Sequence, residues 1–231
     1  MPTVVVTRSK RYKKAAEKAR ENAVAIGEGI DILKSFAPTK FDQSVELIFS
    51  LGIDAKQADQ TIRSSVSLPH GVGKSKRVIC FCPDHLVDAA KAAGAVKAGG
   101  QALVEEVEKT NFTDFDVAIS SPDMMRFVGK LGKVLGPKGL MPSPKAGTVT
   151  ADVATAIKEY AAGKLEFRND AGGNVHCVVG KLSFEKNKLS DNIQAMIDVI
   201  RKMKPQTSKG TYIKKVVLKS SMSPAVYLNV Q

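Results

Sequence analysis

The spacing of apolar and polar residues changes its period along this chain, and each change predicts an element. Residues 9–26, SKRYKKAAEKARENAVAI, are Ala-rich and lack Pro and Gly; this predicts one helix, capped by Ser9 and ended by Gly27 and Gly29. In SVELIFSL (44–51), Val45, Leu47, Phe49 and Leu51 fall on alternate positions, as in a half-buried strand. A second short strand is predicted at RSSVSLP (63–69), stopped by Pro69.

Beyond the Gly- and Lys-rich HGVGKSK (70–76) the pattern becomes one of alternating units. RVICFC (77–82) holds a buried apolar run and DVAIS (116–120) reads as another short buried strand. They are flanked by helical stretches at 83–94, 100–109, 121–135 and 152–163, several opened by Pro or closed by Gly. Buried strands alternating with helices predict a parallel α/β sheet.

After Gly163 the short strands return. LEFR (165–168) and NVHCVVG (174–180) flank NDAGG, which predicts a hairpin. Ser190 is the expected cap of a helix, DNIQAMIDVIRKM, whose Ile193, Met196, Ile197 and Ile200 share one face. A last strand, TYIKKVVLKS, follows. The fold class read from this order is an α+β domain, an antiparallel sheet with helices, built discontinuously from both termini (1–70 and 162–231). An α/β domain is inserted at 71–161. Pro69, His70, Gly71 and Gly163 stand at the two crossings and form the expected hinge.

Charge sharpens this division. The chain carries 35 Lys and Arg against 23 Asp and Glu, a net +12, which points toward nucleic acid or another anionic partner. Residues 1–71 hold 11 basic and 8 acidic residues, 72–162 hold 12 and 10, and 163–231 hold 12 and 5. The excess therefore lies at the two ends, which the predicted fold joins in one domain. From Arg201 to Lys219 there are seven cations and no acid, Asp198 being the last acidic residue in the chain. Such a run is either an ordinary solvated strand or a polyanion-binding surface.

Other chemistry is thin. No apolar run approaches the ~18 residues of a membrane span, and the N-terminal segment has the wrong order for a secretory signal, so a cytosolic protein is expected. GVGKS (71–75) lacks the earlier Gly of a phosphate loop and precedes a strand, not a helix. Cys80 and Cys82, on one side of a buried strand, and Cys177 read as structural residues, and the three histidines make no metal-ligand cluster with them; neither a metal nor a cofactor is expected. No nucleophile, base and orienting group share motif-like spacing, so no enzyme is expected. LGKVLGPKGLMPSPKAGTVT (131–150) is crowded with Gly and Pro. It reads equally as a rigid connector or as a contact surface for RNA or the other domain through Lys133, Lys138 and Lys145.

Five segments carry a resemblance: KFDQSVEL (40–47), SVSLPHGVGK (65–74), the 131–150 segment, FRNDAGGNVHCVVGK (167–181) and KGTYIKKVVLKSSMSP (209–224). In order and spacing, over nearly the whole length, they resemble the L-one family of large-subunit ribosomal proteins in its bacterial form. The resemblance implies a split α+β domain with a Rossmann-like, three-layer insert. It implies binding to large-subunit rRNA at the base of the mobile stalk near the tRNA exit site. It also implies contact with exit-site tRNA and other ribosomal components, repression of translation from the protein's own mRNA, a monomeric free state and a cytoplasmic, ribosomal location.

The RNA-facing positions implied by the resemblance are Lys40, Phe41, Ser44 and Glu46 on one edge and Ser221, Met222 and Ser223 on the other. Arg168, Asp170, His176, Lys209, Lys215 and Lys219 complete them. Phe41 and Met222 suit ribose or an exposed base, the hydroxyls suit 2′-OH groups, and the lysines supply the salt-dependent phosphate term. Read without the resemblance, Phe41 and Met222 are more ordinary as core residues. Two departures stand out: Ser223 replaces the family's usual Gly, placing a side chain where the RNA backbone is expected to approach, and Ala171 replaces a usual Lys.

Overall fold

A computed structural model describes residues 8–19 and 22–230. In chain order the elements are α1 (Lys10–Lys18), α2 (Ile26–Lys34), β1 (Ser44–Leu51), β2 (Arg63–Val66), β3 (Val78–Phe81), α3 (Val87–Ala92), β4 (Lys97–Gly99), α4 (Gln101–Thr110) and β5 (Val117–Ser120). They continue with α5 (Met125–Val128), α6 (Gly132–Leu135), α7 (Val153–Ala161), β6 (Leu165–Arg168), β7 (Asn174–Lys181), α8 (Lys186–Lys202), β8 (Ile213–Ser220) and β9 (Val226–Leu228). The chain divides into two compact units. The first comprises residues 1–62, 68–73 and 168–231; the second comprises 63–67 and 74–167.

The first unit is built on an antiparallel sheet in the order β7-β1-β8-β9. β1, from the N-terminal part of the chain, lies between two strands from the C-terminal part. Its alternation is realised residue by residue. Val45, Leu47, Phe49 and Leu51 are buried, and Ser44, Glu46, Ile48 and Ser50 occupy the opposite, half-exposed face. The sheet packs on α2 through β8 and β9 and on α8 through β7, and Leu189, Ile193, Met196, Ile197 and Ile200 of α8 are fully buried.

Three local expectations are corrected here. The predicted helix over 9–26 is two elements: Ser9 does cap α1, its hydroxyl accepting the Tyr12 N–H at 3.3 Å, but α1 ends at Lys18 and residues 20–21 of the predicted helix lie outside the described residues. Gly27 and Gly29 terminate nothing; both lie inside α2. A Cβ at Gly29 would stand 2.5 Å from Leu228 Cδ2, so this glycine lets the helix lie against β9. The third correction concerns Ser190, which is interior to α8 because the helix begins a turn earlier, after Glu185.

The predicted hairpin of 165–168 with 174–180 also resolves differently. β6 pairs with β2, and β7 pairs with β1; only an isolated Asn169–Val175 bridge joins the two arms. β2 and β6 belong mainly to the second unit, where the Arg63 guanidinium donates two hydrogen bonds, at 2.7 and 2.9 Å, to one Glu166 oxygen.

The second unit carries a three-stranded parallel sheet, β4-β3-β5, covered on both faces. Ile79 and Phe81 pack with Leu103, Val107, Val128 and Leu131 on one side. Val78, Cys80 and Cys82 pack with Ala90, Ile119, Ile157 and Tyr160 on the other. This is the three-layer α/β insert, and it explains why Val78–Cys82 is apolar throughout instead of alternating. The helical stretch 121–135 is broken into α5, a 3₁₀ turn and α6. All three cysteines are free and buried; burial pushes the Cys80 thiol far above its ordinary range and the Cys177 thiol up to about 12. Among the described residues no helix is long and apolar enough to cross a membrane.

Candidate nucleic-acid interface

The site is assembled where the start of β1 meets the turn after β8. Ser44 and Ser221 are joined three times: the Ser221 N–H donates to the Ser44 carbonyl at 3.1 Å, the Ser44 N–H donates to Ser221 Oγ at 3.2 Å, and the Ser221 hydroxyl donates to the Ser44 carbonyl at 3.4 Å. Lys181, opposite Ser44 in the β1–β7 register, donates to Ser44 Oγ at 3.0 Å. Beneath this seam lies Gln43, only 3% exposed, whose Oε1 accepts from Ser220 Oγ at 3.0 Å and from the Met222 N–H at 2.9 Å. A buried amide thus fixes the path of the 220–223 turn, and the surface above it is preorganised.

Two large apolar side chains project from this framework. Phe41 is 56% exposed and Met222 is 53% exposed, among the few large hydrophobic side chains in the described residues that face solvent. They are surface residues, not core. The backbone around Phe41 is held from both sides, by Thr39 Oγ1 donating to the Phe41 carbonyl and by Asp42 accepting from the Ser183 N–H and hydroxyl. An exposed aromatic ring and an exposed thioether, each on a hydrogen-bonded backbone, mark an interaction surface.

Ser223 is placed otherwise than expected. It is 5% exposed, and its Oγ accepts the Ser220 N–H at 2.9 Å and donates to the Pro224 carbonyl at 2.9 Å. Its hydroxyl is spent inside the turn, and the residue still lines the cleft beside Met222.

The remaining predicted residues extend the surface along the outer face of the sheet. Glu46 stands directly opposite Lys219 in the β1–β8 register. Ile48 is flanked by exposed His176 on β7 and by Val217 on β8, and Ser50 by Asn174 and Lys215. At the far end, about 24 Å along β1 by strand rise, come exposed Lys209, Arg168 and Asp170. Asp170 is committed to its own turn. The Asn174 N–H at 2.7 Å, the Asn174 side-chain amide and the Gly172 N–H hold its carboxylate below the ordinary carboxylate range. Lys40, Phe41, Ser44, Glu46, Lys219, Ser221 and Met222 therefore gather at one end of the sheet; His176 and Lys215 continue the face, and Lys209, Arg168 and Asp170 lie apart.

The crossing residues are tied down as well. The Asn192 side chain, fully buried, donates to the Gly71 and Val179 carbonyls at 2.9 and 2.8 Å and accepts the His70 N–H at 3.1 Å, while the His70 ring lies 3.0 Å from Asp191. Pro69 shares this segment, and Gly163 follows α7 in the second unit. There Lys133 and Lys145 are exposed and Lys138 donates to the Thr113 hydroxyl; the 143–150 stretch is a packed connector, tied by Tyr160 Oη to the Ala146 carbonyl and by Thr148 and Thr150 to Ser120.

Sequence reasoning overlooked Gln43, Lys181, Arg11 and Tyr12. Gln43 left a signal: it continues the inward row of Val45, Leu47 and Phe49 by one more alternate step, and an amide at an inward position needs partners.

Comparison with known proteins gives the family. The model of the ribosomal protein L1p/L10e family matches residues 33–224. A Thermosipho melanesiensis protein named large ribosomal subunit protein uL1 is 48% identical over 224 residues, covering 96% of each chain. Proteins of the same name from Rhodopirellula baltica and Methylobacillus flagellatus are 54% and 50% identical over 219 residues, covering 95% and 94% of this chain and 97% and 95% of their own.

Proposed function

The chain belongs to the ribosomal protein L1p/L10e family, and on that premise we propose that it binds the rRNA of the large subunit's mobile stalk, near the tRNA exit site, through the outer face of the β7-β1-β8-β9 sheet. It is a ribosomal protein of the large subunit, a cytoplasmic particle, and not an enzyme. The observation that carries the RNA-binding reading is that Phe41 and Met222 are both exposed at the end of the sheet where Ser44 and Ser221 are hydrogen-bonded to each other.

The chemistry divides between two kinds of contact. Lys40, Lys215 and Lys219 supply phosphate attraction, which sets affinity and salt dependence but reads no sequence. Phe41 and Met222 offer apolar contact to a ribose or an unstacked base, and Ser221 offers a hydroxyl to a 2′-OH, the group that separates RNA from DNA. Glu46 accepts from a base amino group or a 2′-OH. Arg168, His176 and Lys209 extend the contact along the sheet.

The same reading assigns RNA binding to the domain formed by 1–70 and 162–231, with 71–161 inserted between crossings at Pro69–Gly71 and Gly163. It further assigns assistance in releasing deacylated tRNA, and repression of the protein's own mRNA through the same surface. Lys133, Lys138 and Lys145 are its candidates for a second RNA contact.

Filter binding of Met222→Asp to a stalk rRNA fragment at fixed salt tests the reading. We expect at least tenfold weaker binding with the circular dichroism of the folded protein retained. Wild-type affinity in that variant would overturn it.

A further inference from the structure

α1 contributes little to the hydrophobic core. Of its nine residues only Ala15 is buried. Its sequence, KRYKKAAEK, also works against its own stability. Lys10 and Lys14, and Lys14 and Lys18, are like charges at i,i+4, and the first turn carries cations and no acid, at the positive end of the helix dipole. A helix held so weakly and charged so unfavourably is suited to a polyanion that cancels both effects.

The position of α1 agrees. Its N-terminal turn faces the turn after β8 across a cleft lined by Arg8, Arg11, Tyr12, Lys219, Ser221 and Met222. Arg11 reaches across to donate to the Met222 carbonyl at 3.4 Å. The Arg8 guanidinium stacks over the Tyr12 ring, 4.9 Å from its centroid. None of Arg8, Arg11 and Lys219 makes an ion pair among the described residues. Aromatic, thioether and hydroxyl groups line this cleft together with unpaired cations. A neutral apolar ligand would leave those cations unused, and a simple anion would leave the ring and thioether unused.

We propose that this cleft takes one unstacked nucleotide of the bound RNA, its base between the Tyr12–Arg8 pair and Met222 and its phosphates against Arg11 and Lys219. Bases stack on aromatic rings and guanidinium planes in this way. The inference rests on the RNA-binding reading and makes α1 a second wall of the interface, built from the N-terminal side.

The test uses the full chain and the stalk rRNA fragment, titrated by filter binding over a range of salt. Tyr12→Leu, which keeps an apolar side chain but not the ring, is expected to bind about tenfold more weakly with an unchanged salt slope. Tyr12→Phe should stay within about twofold of wild type, and Arg8→Gln should lower the slope by about one. Independently, amide exchange over residues 10–18 should slow when RNA is added. Wild-type binding by Tyr12→Leu while Met222→Asp is impaired would overturn this inference and leave the wider reading standing; absence of α1 protection in the wild-type complex would also overturn it. Failure of the wild-type chain to bind the fragment would end both.

Discussion

Gln43 and Met222, 179 positions apart in sequence, are joined by a 2.9 Å hydrogen bond from the Met222 N–H to the Gln43 side-chain carbonyl. The same oxygen takes the Ser220 hydroxyl. One buried amide from the N-terminal segment therefore sets the turn on which the C-terminal part of the interface depends.

Replacing that amide should affect both stability and binding. Gln43→Leu keeps the bulk but leaves the Met222 N–H and the Ser220 hydroxyl without their acceptor in a buried site, a loss of about 2 kcal/mol. Urea denaturation should show the lower midpoint. Filter binding should show RNA affinity reduced beyond what the residual unfolded fraction explains, because the turn no longer holds Met222 in place.

Two phenylalanines eight residues apart should behave oppositely. Phe49 is fully buried, and Phe49→Ala should cost about 3–5 kcal/mol. Phe41 projects into solvent, so Phe41→Ala should change stability by about 0.5 kcal/mol or less while weakening RNA binding by roughly tenfold or more. Parallel denaturation and binding curves on the two variants check both halves.

Asn192 satisfies three backbone groups from inside the core of the first unit. In Asn192→Leu all three lose their partner, and the expected destabilisation is about 2–4 kcal/mol. Amide exchange should locate the effect at residues 70–71 and 179; uniform acceleration across the sheet instead would show that Asn192 has no local role.

The Asp170 turn predicts a pH dependence. Its carboxylate is held below the ordinary range, first by the Asn174 N–H, then by the Asn174 amide and the Gly172 N–H, so the charged form stabilises the folded state. That contribution is complete at neutral pH and is lost as pH falls through the lowered pKa. The stability gap between wild type and Asp170→Ala should stay constant from pH 7 down to about 4 and close below it. Urea midpoints measured across that range decide it.

Much of the architecture was legible in the sequence because period is a local property. The alternation in SVELIFSL gave β1 with its boundaries, the 3.6-residue stripe gave the buried face of α8, and the unbroken apolar run at 78–82 gave a strand covered on both sides. Charge, a simple sum over residues, located the basic ends. β4 and β9, three residues each, are too short to leave a period and were missed.

Partner choice is not local, and there the sequence was silent or misleading. Gly27 and Gly29 look like a helix stop, yet both lie inside α2, and at Gly29 Leu228, nearly two hundred residues away, leaves no room for a side chain. β6 and β7 look like a hairpin, but their hydrogen bonds go to β2 and β1. In the candidate site, sequence named Phe41, Ser221 and Met222 but could not say which faced out, and it set Ser223 on the surface where the fold turns it inward. The sequence by itself determined the elements, their faces and the basic surplus at both ends. Only the tertiary structure decided that Gln43 meets Met222 and that α1 closes beside them, because a contact across 179 residues depends on how the sheet is ordered and leaves no trace in neighbouring positions.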